Sequence, residues 1–144
     1  MTPSGIKAQY DADDSKIFCF DASYALPSKE WVLDDFSHYF RVFLNRMGLE
    51  KWDEQFDCDD FSRLSFGLAI IAQALAGIAH AKTRKRKEQG LAFGVFNFML
   101  NEKTGHSINT FITKKDGVLF WEPQTQALTT LSESEKKSAS FILF

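Results

Sequence analysis

The segment Phe56-Asp57-Cys58-Asp59-Asp60-Phe61 sets one thiol among three carboxylates, directly before a long apolar run. A histidine follows in Gly105-His106-Ser107-Ile108-Asn109, and a carboxylate in Phe120-Trp121-Glu122-Pro123-Gln124-Thr125. A cysteine at the mouth of a helix, a histidine on a strand and a polar partner on the next strand is the chain order of a thiol active site. In such a site Cys58 is the nucleophile. A thiol attacks only as thiolate, and the unpaired N–H groups and dipole of a helix N-terminus lower its pKa. His106 is the general base that later protonates the leaving group.

Glu122 is the expected orienter of the imidazole, with Trp121 beside it to shield the pair from water. A tight Asp116-Gly117 turn would set a register in which His106 does not face Glu122. A wider loop or a bulge is then needed, or Gln124 takes the role; Glu122 ranks first and Gln124 second. An oxyanion donor near Cys58 could come from its own N–H or from the side chains of Gln55 or Trp52.

Asp57, Asp59 and Asp60 work against this chemistry, because like charges raise a neighbouring thiol pKa. Two resolutions are open. The carboxylates cap the helix, turned toward backbone N–H groups, or a hard cation such as Ca²⁺ cancels their charge. The second cysteine, Cys19, has no comparable setting and reads as a buried, inert thiol. His38 and His80 fall inside helical patterns and read as structural.

The elements that must position these residues follow from periodicity. Pro27-Ser28 announces a helix over Lys29–Met47, with Ser28 as N-cap and Gly48 as terminator. Val32, Phe36, Phe40, Phe43 and Met47 give it one apolar face. A second helix is expected from about Asp60 to Lys82, apolar on nearly every side and therefore central and largely buried. Leu91–Leu100, His106–Thr113 and Val118–Glu122 read as strands. Lys114-Lys115-Asp116-Gly117 is the hairpin signal between the last two. Ile17–Phe20 reads as a short strand, Thr129–Ser140 as a polar connector with a helical turn, and Ser140–Phe144 as a last edge strand. Residues 1–15 read as a flexible arm. The class is α+β, helices packed on an antiparallel sheet, with the nucleophile at the N-terminus of the central helix.

A chain of 144 residues, 44% hydrophobic with 15 Phe, is expected to form one domain with one core. Seventeen basic against 19 acidic residues give a net charge of −2. That balance argues against a chain-wide nucleic-acid or membrane surface. The basic run Arg84–Lys87 reads as a solvated helix end. Phe61–Ala81 has the length of a membrane span, but Arg63 and the preceding aspartates suit a buried helix better. Two cysteines make no disulfide framework, Met1–Asp14 is polar rather than a signal peptide, and a reducing cytoplasm is the expected setting.

Taken together, the Cys58, His106 and Glu122 motifs resemble the papain-like cysteine peptidase domain at the C-terminus of the Marasmius oreades agglutinin and the small phage and bacterial proteins related to it. The resemblance spans roughly residues 29–128. It implies a papain-like fold, a Cys58-His106-Glu122 triad and calcium dependence, with Asp59 and Asp60, and also Asp57, as ligands. The agglutinin's glycan-binding β-trefoil has no counterpart here. The resulting expectation is a cysteine hydrolase, peptidase or amidase, acting on a peptide or protein and needing no cofactor for the chemistry beyond calcium at the aspartates. The alternative is a non-catalytic binding or host-factor-sequestering protein on the same fold.

Overall fold

The computed structural model describes residues 1–51, 53–80 and 89–144, and the side chains of all of these except 77–80. Trp52 and the basic run Arg84–Lys87 lie outside the described residues.

A six-stranded sheet organises the chain. Its strands are β1 (Ile17–Phe18), β4 (Phe93–Met99), β5 (Gly105–Thr113), β6 (Gly117–Glu122), β7 (Ala127–Thr129) and β8 (Phe141–Leu143), in the order β1-β8-β4-β5-β6-β7. All neighbours are antiparallel except β1 and β8. Two further short strands, β2 (Tyr24–Ala25) and β3 (Gly90–Leu91), pair in parallel apart from it. The helices are α1 (Pro3–Lys7), α2 (Ser37–Met47), α3 (Cys58–His80) and α4 (Glu133–Lys137). The expected α+β class therefore stands, with a mostly antiparallel sheet.

Strand parity divides the core in two. On one face Phe96, Phe98, Ile108, Ile112, Phe120 and Ile142 pack under the N-terminal segment, Leu131 and Ala139. On the other, Phe93, Phe111 and Trp121 pack against Phe36 and Phe40 before and within α2 and Phe61 and Leu68 of α3. Some rings there meet edge-on or tilted, as in Phe36–Phe93 at 5.3 Å and Phe36–Trp121 at 5.7 Å, and others stack, as in Phe36–Phe40 at 6.1 Å. Each such pair adds about 0.5–1.5 kcal/mol beyond burial alone.

The first long helix begins as expected, since the Trp31 N–H donates to Ser28 Oγ, and ends at Gly48 in the left-handed region. Its opening turn over Trp31–Phe36 is π-helical. The buried Ser37 hydroxyl donates to the Val32 carbonyl five residues back, a partner that this wider turn presents.

Four sequence expectations change. Residues 1–15 are not a loose arm: Pro3–Lys7 is helical, Thr2 caps it, and Ile6 is fully buried. The terminal strand is not an edge, because β8 runs between β1 and β4. Helix α3 is buried only along its first half, with Ile70, Ile71 and Leu75 exposed. Trp121 does not shield Glu122; alternation turns it to the opposite face, where it is fully buried. No described helix is long and apolar enough to cross a membrane.

Candidate functional site

Helix α3 starts at Cys58. The Asp57 side chain accepts from the Asp59 N–H at 3.1 Å, satisfying one of the first-turn donors that a helix leaves unpaired. Capping, one of the two sequence readings of the aspartates, is thus what Asp57 does. Asp59 forms an ion pair with Arg63 one turn on, on the exposed side of the helix. The Asp57 and Asp59 carboxyls stand close enough to interact as a hydrogen-bonding pair. That pairing and the Asp59 amide hold Asp57 below the usual carboxylate range, while Asp59, as the partner to Asp57, is pushed above it. Oxygens of Asp57, Asp59 and Asp60 all lie within 4.8 Å of one another.

Helix and sheet are joined by a buried polar lattice that the sequence reading did not identify. Ser62 and Ser107 hydroxyls meet at 2.7 Å, and the Ser65 hydroxyl donates to Asn109 Oδ1. Asn109 Nδ2 donates to the Ser62 carbonyl at 2.9 Å and to the Gly94 carbonyl at 3.0 Å. Ser62, Ser65, Ser107 and Asn109 are all buried. The available signal was a polar residue at every odd position from Ser107 to Asn109, opposite serines three apart on the helix.

The even positions of β5 face the other way. His106 meets Phe98 edge-on at 5.7 Å, and its Nε2 lies 2.8 Å from Glu122 Oε2. The pair is largely enclosed, with 23% and 17% of the two side chains exposed. The hairpin explains how they meet. Its loop is Lys114–Asp116, closed by Gly117 at φ 72° and by the Asp116 N–H on Thr113 Oγ1, and Thr113 pairs with Gly117. This three-residue loop with a left-handed glycine is wider than a two-residue turn. It shifts the register so that Glu122 reaches His106 diagonally. Gln124 does not hold the imidazole; its backbone N–H donates to Glu122 Oε1 at 3.2 Å and fixes the carboxylate.

Cys58 lies at the start of α3 with its thiol at the Ser107 backbone, within reach of the Glu122 charge. Its thiol is pushed above its ordinary value by burial first, then by the charges of Asp57, Asp59 and Glu122, with a backbone hydrogen bond at Ser107 pulling the other way. Among the described residues no hydrogen bond joins Cys58 to His106; the imidazole nitrogen that is bonded is spent on Glu122. The structure thus brings Cys58, His106, Glu122 and the three aspartates to one end of the sheet. Burial and the neighbouring carboxylates raise the Cys58 thiol, against the helix-driven lowering expected from sequence.

No family model matches the chain, and no curated protein matches it. Solved structures do. The chain aligns along its whole length with the Polyporus squamosus lectin bound to the epitope Neu5Acα2-6Galβ1-4GlcNAc, at 19% identity and a TM-score of 0.60. It aligns equally with a structure described as a PSL1a–E64 complex, at 20% identity and a TM-score of 0.60. The chain covers 49% and 51% of those two chains, so it spans about half their length. At this identity the likeness shows the fold.

These findings correct the expected function. The expected cysteine hydrolase, with its thiol-protease chemistry and its peptide or protein substrate, is not supported by these matches. One matched structure is described as a lectin with a glycan bound, and burial with the neighbouring carboxylates raises the Cys58 thiol, the direction opposite to activation.

Proposed function

We propose that the chain is a non-catalytic binding domain on a papain-like scaffold, and that it takes a carbohydrate at the surface where the first turn of α3 meets β5 and β6. The observation that carries this reading is the His106–Glu122 pair. It is 2.8 Å across, partly exposed, and pinned by Phe98 on one side and the Gln124 amide on the other. A carboxylate and an imidazole held in fixed relation offer both acceptors and a donor to neighbouring hydroxyls, and a preformed site loses little entropy on binding. The glycan bound to the Polyporus squamosus lectin suggests the ligand class.

Charge refines the choice. Asp57, Asp59, Asp60 and Glu122 all act on this end of the sheet, so a sialic acid carboxylate is repelled and a neutral galactose is not. Calcium reverses that order. The converging oxygens of Asp57, Asp59 and Asp60 are hard donors of the kind it takes, and they are its ligands in this proposal.

The test is calorimetric titration with Galβ1-4GlcNAc and with its α2-6-sialylated form, in calcium and in chelator. In chelator the neutral disaccharide binds better, and calcium shifts the preference toward the sialylated form. Glu122→Gln weakens binding by about tenfold, some 1.4 kcal/mol, while Cys58→Ala leaves it unchanged. Absence of binding to either glycan, or affinity indifferent to Glu122→Gln, would overturn the reading.

A further inference from the structure

A hollow that the glycan reading does not use lies where the N-terminal segment crosses β4 and β6. Its volume is about 200 Å³. The floor is Phe96, Val118 and Phe120, and Tyr10 forms one wall. Asp11, Glu133 and Lys136 stand at the rim.

The hollow is built rather than incidental. Tyr10 lies over Phe96 with ring centroids 6.2 Å apart and planes inclined by 26°. Its hydroxyl is tied to Thr110 Oγ1 at 2.7 Å, which anchors the N-terminal segment to the middle of β5. Val118 and Phe120 point to this face by strand alternation, and Phe96 meets Phe120 edge-on at 5.0 Å. α4 closes the far side; its capping box at Ser132 and Glu135 fixes where Glu133 and Lys136 stand.

Size and charge narrow the occupant. A cavity of about 150 Å³ admits benzene, so this one holds a single ring with a short substituent. The rim charges are already matched: Lys136 Nζ lies 2.7 Å from Glu133 Oε1, and Asp11 lies 3.8 Å from Lys137 Nζ. A charged ligand would have to displace one of those partners, whereas a neutral hydroxyl can join them as donor and acceptor. The floor supplies aromatic edges and faces for a ring.

We propose that this hollow is a second binding site, separate from the His106–Glu122 surface, and that it takes a small neutral phenol, ring on the Phe96–Phe120 floor and hydroxyl at the Asp11–Lys136 rim.

The experiment uses p-cresol as probe, followed by NMR on the full chain. Contacts are expected between the p-cresol ring and the Val118 methyl groups at millimolar probe. Val118→Phe fills the floor and weakens p-cresol by about tenfold or more, while His106→Ala leaves it unchanged. 4-Methylbenzylamine and 4-methylbenzoate, the cationic and anionic counterparts, bind more weakly than p-cresol. The direct contacts stand as a readout independent of how Val118→Phe folds. Failure to see them at millimolar probe, or equal binding of all three compounds, overturns the assignment. So does loss of p-cresol binding in His106→Ala, which would merge this hollow with the glycan surface.

Discussion

Asn109→Ala destabilises the protein by about 3–5 kcal/mol in urea unfolding. Asn109 is fully buried, and its amide spans helix and sheet by donating to the carbonyls of Ser62 and Gly94 while accepting from Ser65. Truncation removes a side chain's volume and also takes a partner from three buried groups, the carbonyls of Ser62 and Gly94 and the Ser65 hydroxyl, although the last keeps the Ser62 carbonyl as acceptor at 2.9 Å. Each group left unpaired costs about 1–3 kcal/mol when no water reaches it. A second consequence follows for the site. The Ser62–Asn109 and Ser62–Ser107 bonds hold the first turns of α3 against β5, so glycan affinity should fall in the same variant even where it remains folded. A loss below about 1 kcal/mol would mean that water fills the gap and that this lattice does not bind the layers together.

Gly94→Ala is expected to cost about 2–4 kcal/mol, within the upper range for single substitutions. A Cβ at Gly94 would sit 2.1 Å from the Leu143 carbonyl oxygen and 3.1 Å from its carbon. The obstacle is backbone on the adjoining strand, so β8 must move away from β4 as a unit. That movement disturbs the Val95–Leu143 and Phe96–Ile142 pairings and, through β8, the β1 edge. Gly105→Ala is the matched comparison. Its Cβ would meet only the Phe98 carbonyl at 3.7 Å and the Met99 sulfur at 3.8 Å, ordinary contacts. That variant is expected to change stability by less than about 0.5 kcal/mol, as surface substitutions away from special features do. Equal effects at the two glycines would refute the close β4–β8 approach.

Much of the fold was legible because periodicity is a local property. Val32, Phe36 and Phe40 mark one face of the long helix, and all three are buried. The Asp116-Gly117 signal marks the β5–β6 hairpin, and alternation gives β5 its two faces. The His106–Glu122 contact was legible too, once a wider loop was allowed for. Short elements were not. Strands of two or three residues, such as β1 and β8, carry too few positions to show a pattern, and α1 is helical because Ile6 finds a core to enter. Nor does sequence say which face of a strand the helices will cover. That decision sent Trp121 into the α2–α3 layer and left Phe98, rather than Trp121, against His106. At the site, the residues were legible and their chemistry was not. The three aspartates were read as opposing thiol activation. Only the folded arrangement shows that burial adds to their effect on the thiol.

The most direct measurement is the alkylation rate of Cys58 by iodoacetamide against pH, on the wild type and on His106→Ala, with Cys19 replaced by Ser to leave a single thiol. Burial and the neighbouring carboxylates raise the Cys58 thiol. Raised in the folded state, it favours folding while protonated, below its unfolded value. That contribution is lost as pH rises through the folded value. The predicted result is alkylation at neutral pH slower than that of a free thiol, rising only above the ordinary cysteine value of about 8.5, with the same profile in His106→Ala. A rapid reaction at neutral pH, titrating well below about 8.5 and abolished by His106→Ala, would show an activated thiolate and contradict the binding account.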